Sequence, residues 1–495
     1  MFERRAYMLD ISRDRVPTRD TLEWLADALA ALGFNEIQLY VEHTYAYTDH
    51  KTVWEGASPL TADDLRWLDR VCEVRGIDLV GNMNCFGHMG RWLAHERYRG
   101  LAECPEGAPA LFGSGAMPPG CLAPTVENAA FGVALARELA RSIRSRRLHI
   151  GGDEPFELGE GVSASDVAER GRETVYIEHL SRIIAPLVDD GYEVMFWADQ
   201  FRRDRSLVSR IPQGAIPVVW NYEAPSDSGW MSFLPTELID RLGLPEDMHL
   251  GFESHARLFI EAGKPFWVAP GTSSWNTLIG RNVNAAANIA DAVAVGTSYG
   301  SPGFLLTDWG DNGHFQPLAV SLPSMVRGGA AASGAPIDDE AEVAQRIDEL
   351  LGCEKGVGAL IDRLGCIGEE LGMVSPNSSP IFTSLCSIGI PGFGEPDPAG
   401  VAHGMEILSE ARERFSQPIG GPRGPVVAAE MAAVCQFAEL GLRRLAAEHG
   451  LDVKAPVARD FDEAVQAQRA AWLLSSRPGG LDDSIDKLIG QSAAG

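Results

Sequence analysis

The sequence predicts an α/β fold, a (β/α)8 TIM barrel followed by a mainly α-helical C-terminal domain. Two patterns carry that expectation. Eight short β-rich runs alternate with amphipathic helical segments over the first two-thirds of the chain, the pattern of parallel strands joined by helical crossovers. The runs are also nearly continuous in apolar residues, as strands covered on both faces must be. A doubly wound sheet is the main competitor, but no run is followed by a G-x-G-x-x-G opening a helix.

The first run is AYMLDIS (6–12). Behind it, Leu22, Leu25, Leu29 and Leu32 fall near helical spacing, with Thr18 or Asp20 to cap the start and Gly33 the end. EIQLYVEHT (36–44), DLVGNMNCFGH (78–88) and RLHIGGDE (147–154) are each followed by an amphipathic segment. EVMFWADQ (193–200), IPVVWNYE (216–223), FWVAPGTSSW (266–275) and GFLLTDWGD (303–311) complete the set, with VNAAANIADAVAVG after the seventh. The barrel is assigned to residues 1–328. Residues 329–336 read as a small-residue linker, and 337–495 as a helical domain interrupted by the Gly- and Pro-rich loop 376–400. Its wide Ala/Leu faces need a partner, so a homodimer through the C-terminal helices is expected.

Acidic residues number 69 against 42 Lys and Arg, a formal charge of −27. Such a surface repels nucleic-acid phosphates and anionic membranes, so neither is an expected partner. The eight cysteines are scattered with no CxxC spacing, and read as buried thiols in a reducing compartment. The N-terminal residues lack the apolar core of a signal peptide, and no stretch approaches the roughly 20 apolar residues of a membrane span. A cytoplasmic location is the expectation.

Each run ends in groups able to bind or react: Arg13, Glu42, His88, Asp153–Glu154, Trp197–Asp199, Trp220–Tyr222, Trp275–Asn276 and Trp309–Asp311. In a parallel barrel these ends share one face, where such enzymes keep their active sites. The sharpest signal is His149-Ile150-Gly151-Gly152-Asp153-Glu154. A turn after the two glycines can bring both carboxylates to one cavity, where one stays ionised and the other donates a proton. The pair could also cap a helix, join His149 in a metal site or lie inert on the surface. Four tryptophans at the last four strand ends, beside Asp or Asn, suit a sugar ring with apolar C–H faces and a hydroxyl rim.

HIGGDE resembles the catalytic signature of glycoside hydrolase family 20, the β-N-acetylhexosaminidases. MLDISR (8–13) is similar to that family's first-strand motif, with Arg13 as a binder of sugar hydroxyls, and FGH (86–88) to its Pro-Gly-His. FWADQF, VVWNYE and LLTDWGD supply tryptophans at the strands that build its acetamide pocket. The resemblance spans roughly residues 5–315. QLYVEHTYAY departs from the family's His-Leu-x-Asp-Asp, placing Tyr40, Glu42 and His43 where other groups are normal. The acetamide-binding Tyr of the seventh strand has no clear counterpart, with Tyr222 or Asn276 as substitutes. Trp309-Gly310-Asp311 is one methylene shorter than the usual Trp-x-Glu, and no counterpart of the usual small N-terminal domain precedes the barrel. The branch resembled is that of cytoplasmic bacterial exo-β-N-acetylglucosaminidases.

The resemblance implies an exo-acting β-N-acetylhexosaminidase that removes terminal β-linked GlcNAc, or GalNAc, from a small oligosaccharide or glycan terminus. It implies retention through an oxazolinium ion formed by the substrate's own acetamide, the substrate-assisted exception among retaining glycosidases. Glu154 is then the acid/base and Asp153 the group that orients the acetamide. Trp197, Trp220 and Trp309 enclose its methyl, Arg13 and Asp311 bind outer hydroxyls, and His88 supports the sugar or Asp153. No metal or organic cofactor is expected. The competing readings are a metal-dependent barrel hydrolase or lyase using His149, Asp153 and Glu154, and a sugar-binding protein without catalysis.

Overall fold

The computed structural model describes residues 1–109, 115–201, 205–226, 239, 247–388 and 392–489. Eight strands close into a barrel: β1 (Arg4–Asp10), β2 (Glu36–Val41), β3 (Asp78–Met83), β4 (Arg147–His149), β5 (Glu193–Trp197), β6 (Ala215–Trp220), β7 (Trp267–Ala269) and β8 (Gly303–Asp308). They follow one another in sequence order around the closed sheet, every pair parallel. The barrel expected from the sequence is therefore the fold observed. All but β1, which equals its run in length, are shorter than the runs that announced them. Each run overshoots at its C-terminal end, where the apolar pattern continues into a loop that turns over the barrel mouth.

The outer helices α1 (Arg19–Ala31), α2 (Ala62–Glu73), α3 (Val126–Ala140), α4 (Arg172–Asp189), α5 (Phe252–Ala262), α6 (Asn282–Ser298) and α7 (Leu318–Ala332) pack around the strands. Thr18, not Asp20, caps α1: its hydroxyl accepts from the Thr21 N–H at 3.3 Å. Side chains alternate across each strand. Tyr7, Leu9, Ile37, Leu39, Val194, Phe196 and Phe304 face outward into the apolar layer shared with the helices. Ala6, Met8, Met195, Trp197, Val218 and Leu305 face the barrel interior. At the interior's lower end the Arg147 Nε donates to Glu36 at 2.9 Å, and Gln38 and Asn82 bond above them. Burying that ion pair is tolerable only because its polar atoms find partners.

Two expectations need correction. The small residues thought to form a linker are helical as far as Ala332, within α7. The lack of a side chain at Gly329, as at Gly328 before it, lets α7 lie directly on the Leu32 carbonyl and on Leu306. The long apolar segment α12 (Gly424–Glu448) does meet the length and composition of a membrane-spanning helix. It is instead a core helix, packed on α10 (Pro380–Cys386), α11 (Pro398–Phe415) and α13 (Ala458–Ser475). These neighbours cover much of its Ala/Leu faces within one chain. The other C-terminal helices longer than one turn, among the described residues, are α8 (Glu340–Leu351), α9 (Val357–Leu364) and α14 (Leu481–Ile489). Helix α10 falls in the loop 376–400, where no helix was expected, and residues 389–391 of that loop lie outside the described residues.

One apolar layer runs from the barrel helices into the C-terminal helices, including Leu22, Leu322, Ile347 and Val434. A buried ion pair crosses the same boundary. Arg15 Nη2 meets Glu430 Oε1 at 3.1 Å, Arg15 Nη1 donates to the carbonyls of His314, Phe315 and Gln316, and the guanidinium lies 4.5 Å over the Trp472 ring. Removing one member leaves the other charged and unpaired in the interior. Glu430→Ala should therefore cost about 3–5 kcal/mol of unfolding free energy, read by urea denaturation; a loss below about 1 kcal/mol would show that the pair is not what joins the two regions.

Candidate active site

The polypeptide leaves β4 through Ile150, whose N–H still donates to the Met195 carbonyl at 2.9 Å. Gly151 and Gly152 then take φ of +69° and +90°, a reversal that side chains disfavour. A Cβ at Gly151 would also sit 2.4 Å from Asn84 Cγ. The reversal aims Asp153 into the barrel, and Glu154 follows at φ +46°, a strained value for a residue with a side chain. The Glu154 N–H donates to Asp199 Oδ2 at 3.2 Å, which holds that conformation.

Both carboxylates reach the same imidazole. His88 Nε2 lies 3.2 Å from Asp153 Oδ2 and 3.4 Å from Glu154 Oε2, and His88 Nδ1 lies 3.8 Å from Glu42 Oε1. Asn84 Nδ2 donates to the other Asp153 oxygen at 2.6 Å. Burial alone would lower the His88 pKa, but the Asp153 charge and the contacts to both carboxylates hold it well above its ordinary value. Burial alone would raise Asp153; the charge and contact of His88 and the hydrogen bond from Asn84 outweigh this and hold it below the usual range. Asp153 is thus an ionised carboxylate in a buried place.

A second charged group sits beside the first. Arg13 Nη1 meets Glu42 Oε1 at 2.5 Å and Arg13 Nη2 lies 3.6 Å from Asp311. Tyr40 donates its hydroxyl to the same Glu42 oxygen at 3.2 Å. Asp10 ties the two turns together, accepting from the Ser12 N–H at 2.7 Å and from the Gly310 N–H at 3.0 Å. Burial pushes Asp311 up to about 6 despite Arg13, with the Asp10 and Glu154 charges adding to the shift.

The aromatic groups form one wall. Trp220 stacks on Tyr222 at 5.1 Å and 16° between planes, and Trp275 meets Tyr222 edge-on at 5.1 Å and 85°. Trp309 Nε1 donates to the Tyr222 hydroxyl at 2.8 Å. Trp197 lies beneath, 5.8 Å from Trp309, and Tyr40 joins wall to charges with its ring 4.9 Å from Trp309. The two-residue period explains this placement: Trp197 and Asp199, and Trp220 and Tyr222, continue the inward-facing positions of their strands.

The sequence-derived residues thus separate into three groups. Asp153, Glu154, His88, Arg13 and Asp311 form one linked charged network through Glu42. Trp197, Trp220, Tyr222, Trp275 and Trp309 form the wall. Asn276 faces neither: its Nδ2 donates to the Asn377 carbonyl at 3.3 Å and its Oδ1 accepts from Asn312 at 3.0 Å. His149, offered as a metal ligand, is also elsewhere. It is fully buried against Trp197, its Nδ1 accepts from the Gly151 N–H at 3.0 Å, and burial pushes it down to about 3. Among the described residues, the acidic and histidine groups close enough to share a cation are His88, Asp153 and Glu154, with ligand atoms within 4.8 Å of one another. Asn84, the hydrogen-bond partner of Asp153, is the member of the site that the sequence does not point to. A lone Asn in an apolar run has no signature.

No protein-family model matches the chain. It is similar to human hexosaminidase D, 21% identical over 334 residues, which cover 66% of this chain and 64% of that one. The match thus spans less than two-thirds of the human protein's length. It is 24% identical to bovine hexosaminidase D over 307 residues, 59% of this chain and 80% of that one. Among solved structures its fold is like that of Flavobacterium johnsoniae chitobiase, with a TM-score of 0.53 and 14% identity, covering 99% of this chain and 78% of that one. The likeness to the chitobiase shows the fold, a (β/α)8 barrel, and the low-identity likeness to the hexosaminidases lies in the same direction as the strand-end motifs.

Proposed function

We propose that the chain is an exo-acting β-N-acetylhexosaminidase that removes a terminal β-linked GlcNAc or GalNAc by substrate-assisted retention. One observation carries this reading: adjacent carboxylates, Asp153 and Glu154, share one partly exposed imidazole beside a tryptophan wall. The acetamide oxygen of the sugar attacks its own anomeric carbon, the glycosidic C–O bond breaks, and Glu154 protonates the leaving oxygen. Water then adds to the anomeric carbon of the oxazolinium ion, Glu154 takes its proton, and the acetamide is regenerated. Asp153, ionised throughout, holds the acetamide N–H and balances the charge that spreads onto it. Trp197, Trp220 and Trp309 enclose the methyl group, and Arg13 and Asp311 bind outer hydroxyls. Tyr222, not Asn276, takes the acetamide, because both ends of the Asn276 amide are already engaged. No metal or organic cofactor enters these steps.

A cation held by His88, Asp153 and Glu154 is the second reading, supported by their mutual distances. It is opposed by the charge state of His88, which already supplies a cation between the carboxylates. Abolition of turnover by a chelator would favour it. The eight unpaired thiols support cytoplasmic residence. A homodimer through the C-terminal helices stays part of the proposal, with exposed Leu473 and Leu474 on α13 as its apolar contact; a strictly monomeric, fully active species in sedimentation would remove it.

Asp153→Asn should lower kcat on N-acetylated sugars by about 10²–10³, because the amide keeps the shape and loses the charge. Glu154→Gln should lose more turnover on substrates with poor leaving groups than on activated aryl glycosides. Equal losses on both substrate types would deny Glu154 the acid's role. Asp311 should titrate near pH 6: as pH falls through that value the carboxylate gains a proton and ceases to accept from sugar hydroxyls. An acid limb in kcat/KM near 6 is expected, and Asp311→Asn should abolish it while lowering the plateau. A limb that survives the substitution would belong to another group.

A further inference from the structure

We propose that Asn377, supplied by the C-terminal helical region, is a positioning residue of the acetamide pocket. The inference rests on the reading above, in which the aromatic wall holds the acetamide. Asn377 joins three loops of the barrel mouth. Its Oδ1 accepts from Trp275 Nε1 at 2.9 Å and its carbonyl from Asn276 Nδ2 at 3.3 Å, both on the loop after β7. Its N–H donates to Glu223 Oε1 at 2.7 Å, after β6, where Arg281 grips the Glu223 carboxylate with two bonds of 2.9 Å. Through Asn276 it reaches Asn312, next to Asp311, at 3.0 Å.

The following residues pin the same loop. Ser378 Oγ donates to the Asn276 carbonyl at 2.9 Å and the Ser379 N–H to that same oxygen at 3.1 Å. Asn377 takes φ +53°, a left-handed conformation that Asn tolerates better than most residues with side chains. The Trp275 indole is held by the edge contact with Tyr222, by close packing on Gly271, and by one hydrogen bond, to the side-chain oxygen of Asn377. Without that hydrogen bond, the ring can tilt, and Tyr222 and the Trp309 indole bonded to it lose the surface that fixes them. A displacement of this size matters because the reaction needs the acetamide oxygen in line with the anomeric carbon.

The test uses the full chain and two p-nitrophenyl β-glucosaminides, one N-acetylated and one N-butyrylated. Asn377→Gly keeps the left-handed backbone and both backbone hydrogen bonds and deletes only the acceptor for Trp275. It should lower kcat/KM for the N-acetyl substrate by about tenfold or more. The N-butyryl substrate should lose much less, because a loosened wall accepts the longer chain, so the selectivity between them should shrink. Asn377→Asp restores an acceptor oxygen and should recover the selectivity. An unchanged N-acetyl rate, an equal loss on both substrates, or a loss that Asn377→Asp fails to restore overturns the proposal. A wild-type chain inactive on both glycosides removes the hexosaminidase reading and this inference with it; an active wild type with an indifferent Asn377→Gly removes the inference alone.

Discussion

A carboxylate as buried as that of Asp153 stays ionised only beside a counter-charge, and His88 is that charge. The short contacts from His88 Nε2 to Asp153 and Glu154, with Glu42 behind Nδ1, set where each group points. Burial works against charge on both the imidazole and Asp153; each holds the other ionised, so removing either changes the state of its partner. The backbone is arranged around that contact: glycines reverse the chain after β4, and His88 and Glu154 are both held at positive φ. Strain at two neighbouring residues persists only where packing over-determines it.

The balance of groups around this contact says what kind of ligand the cavity favours. Asp10, Glu42, Asp153, Glu154 and Asp311 outnumber Arg13 and His88. An anionic ligand meets net repulsion there, whereas a neutral ligand that gains positive charge during reaction is stabilised by groups already in place. The amino sugar of the proposed reaction, neutral at first and cationic at its ring and acetamide as it reacts, is such a ligand. The wall of indoles adds contact to its C–H faces and keeps water from screening the charges.

The barrel was legible because its signals are periodic. Apolar runs and the spacing of Leu22, Leu25 and Leu29 repeat at the intervals that strands and helices require, and the inward parity of Trp197 and Trp220 follows from the same count. Glycines next to paired carboxylates marked the site's centre. What parity could not give was the path of the chain beyond each strand. Asn276 occupies a promising position next to Trp275, but a loop conformation at φ +56° turns its amide to the C-terminal region. His149 stands in the signature itself, yet its ring packs under Trp197. Asn84 contacts Asp153 through a pairing of β3 with β4 that a single sequence does not reveal.

The C-terminal helices show why a composition argument stops short of a spatial one. Their wide apolar faces demanded cover, and the sequence offered no way to tell neighbouring helices from a second chain. In the fold α12 packs on α10, α11 and α13, so much of its cover is local. The same region also reaches the barrel mouth at several separate places. Arg15 and Glu430 pair across the boundary, Arg477 donates to the Pro59 carbonyl at 2.6 Å, and Asn377 meets the loops after β6 and β7. All of these contacts fall on loops leaving the C-terminal ends of strands, the end at which the charged network and the aromatic wall lie. A barrel whose strands are only three to seven residues long leaves much of its site on loops, and loops need an external frame to hold geometry within the tolerance that chemistry sets. The helical region supplies that frame, so its folding and the shape of the cavity are one problem.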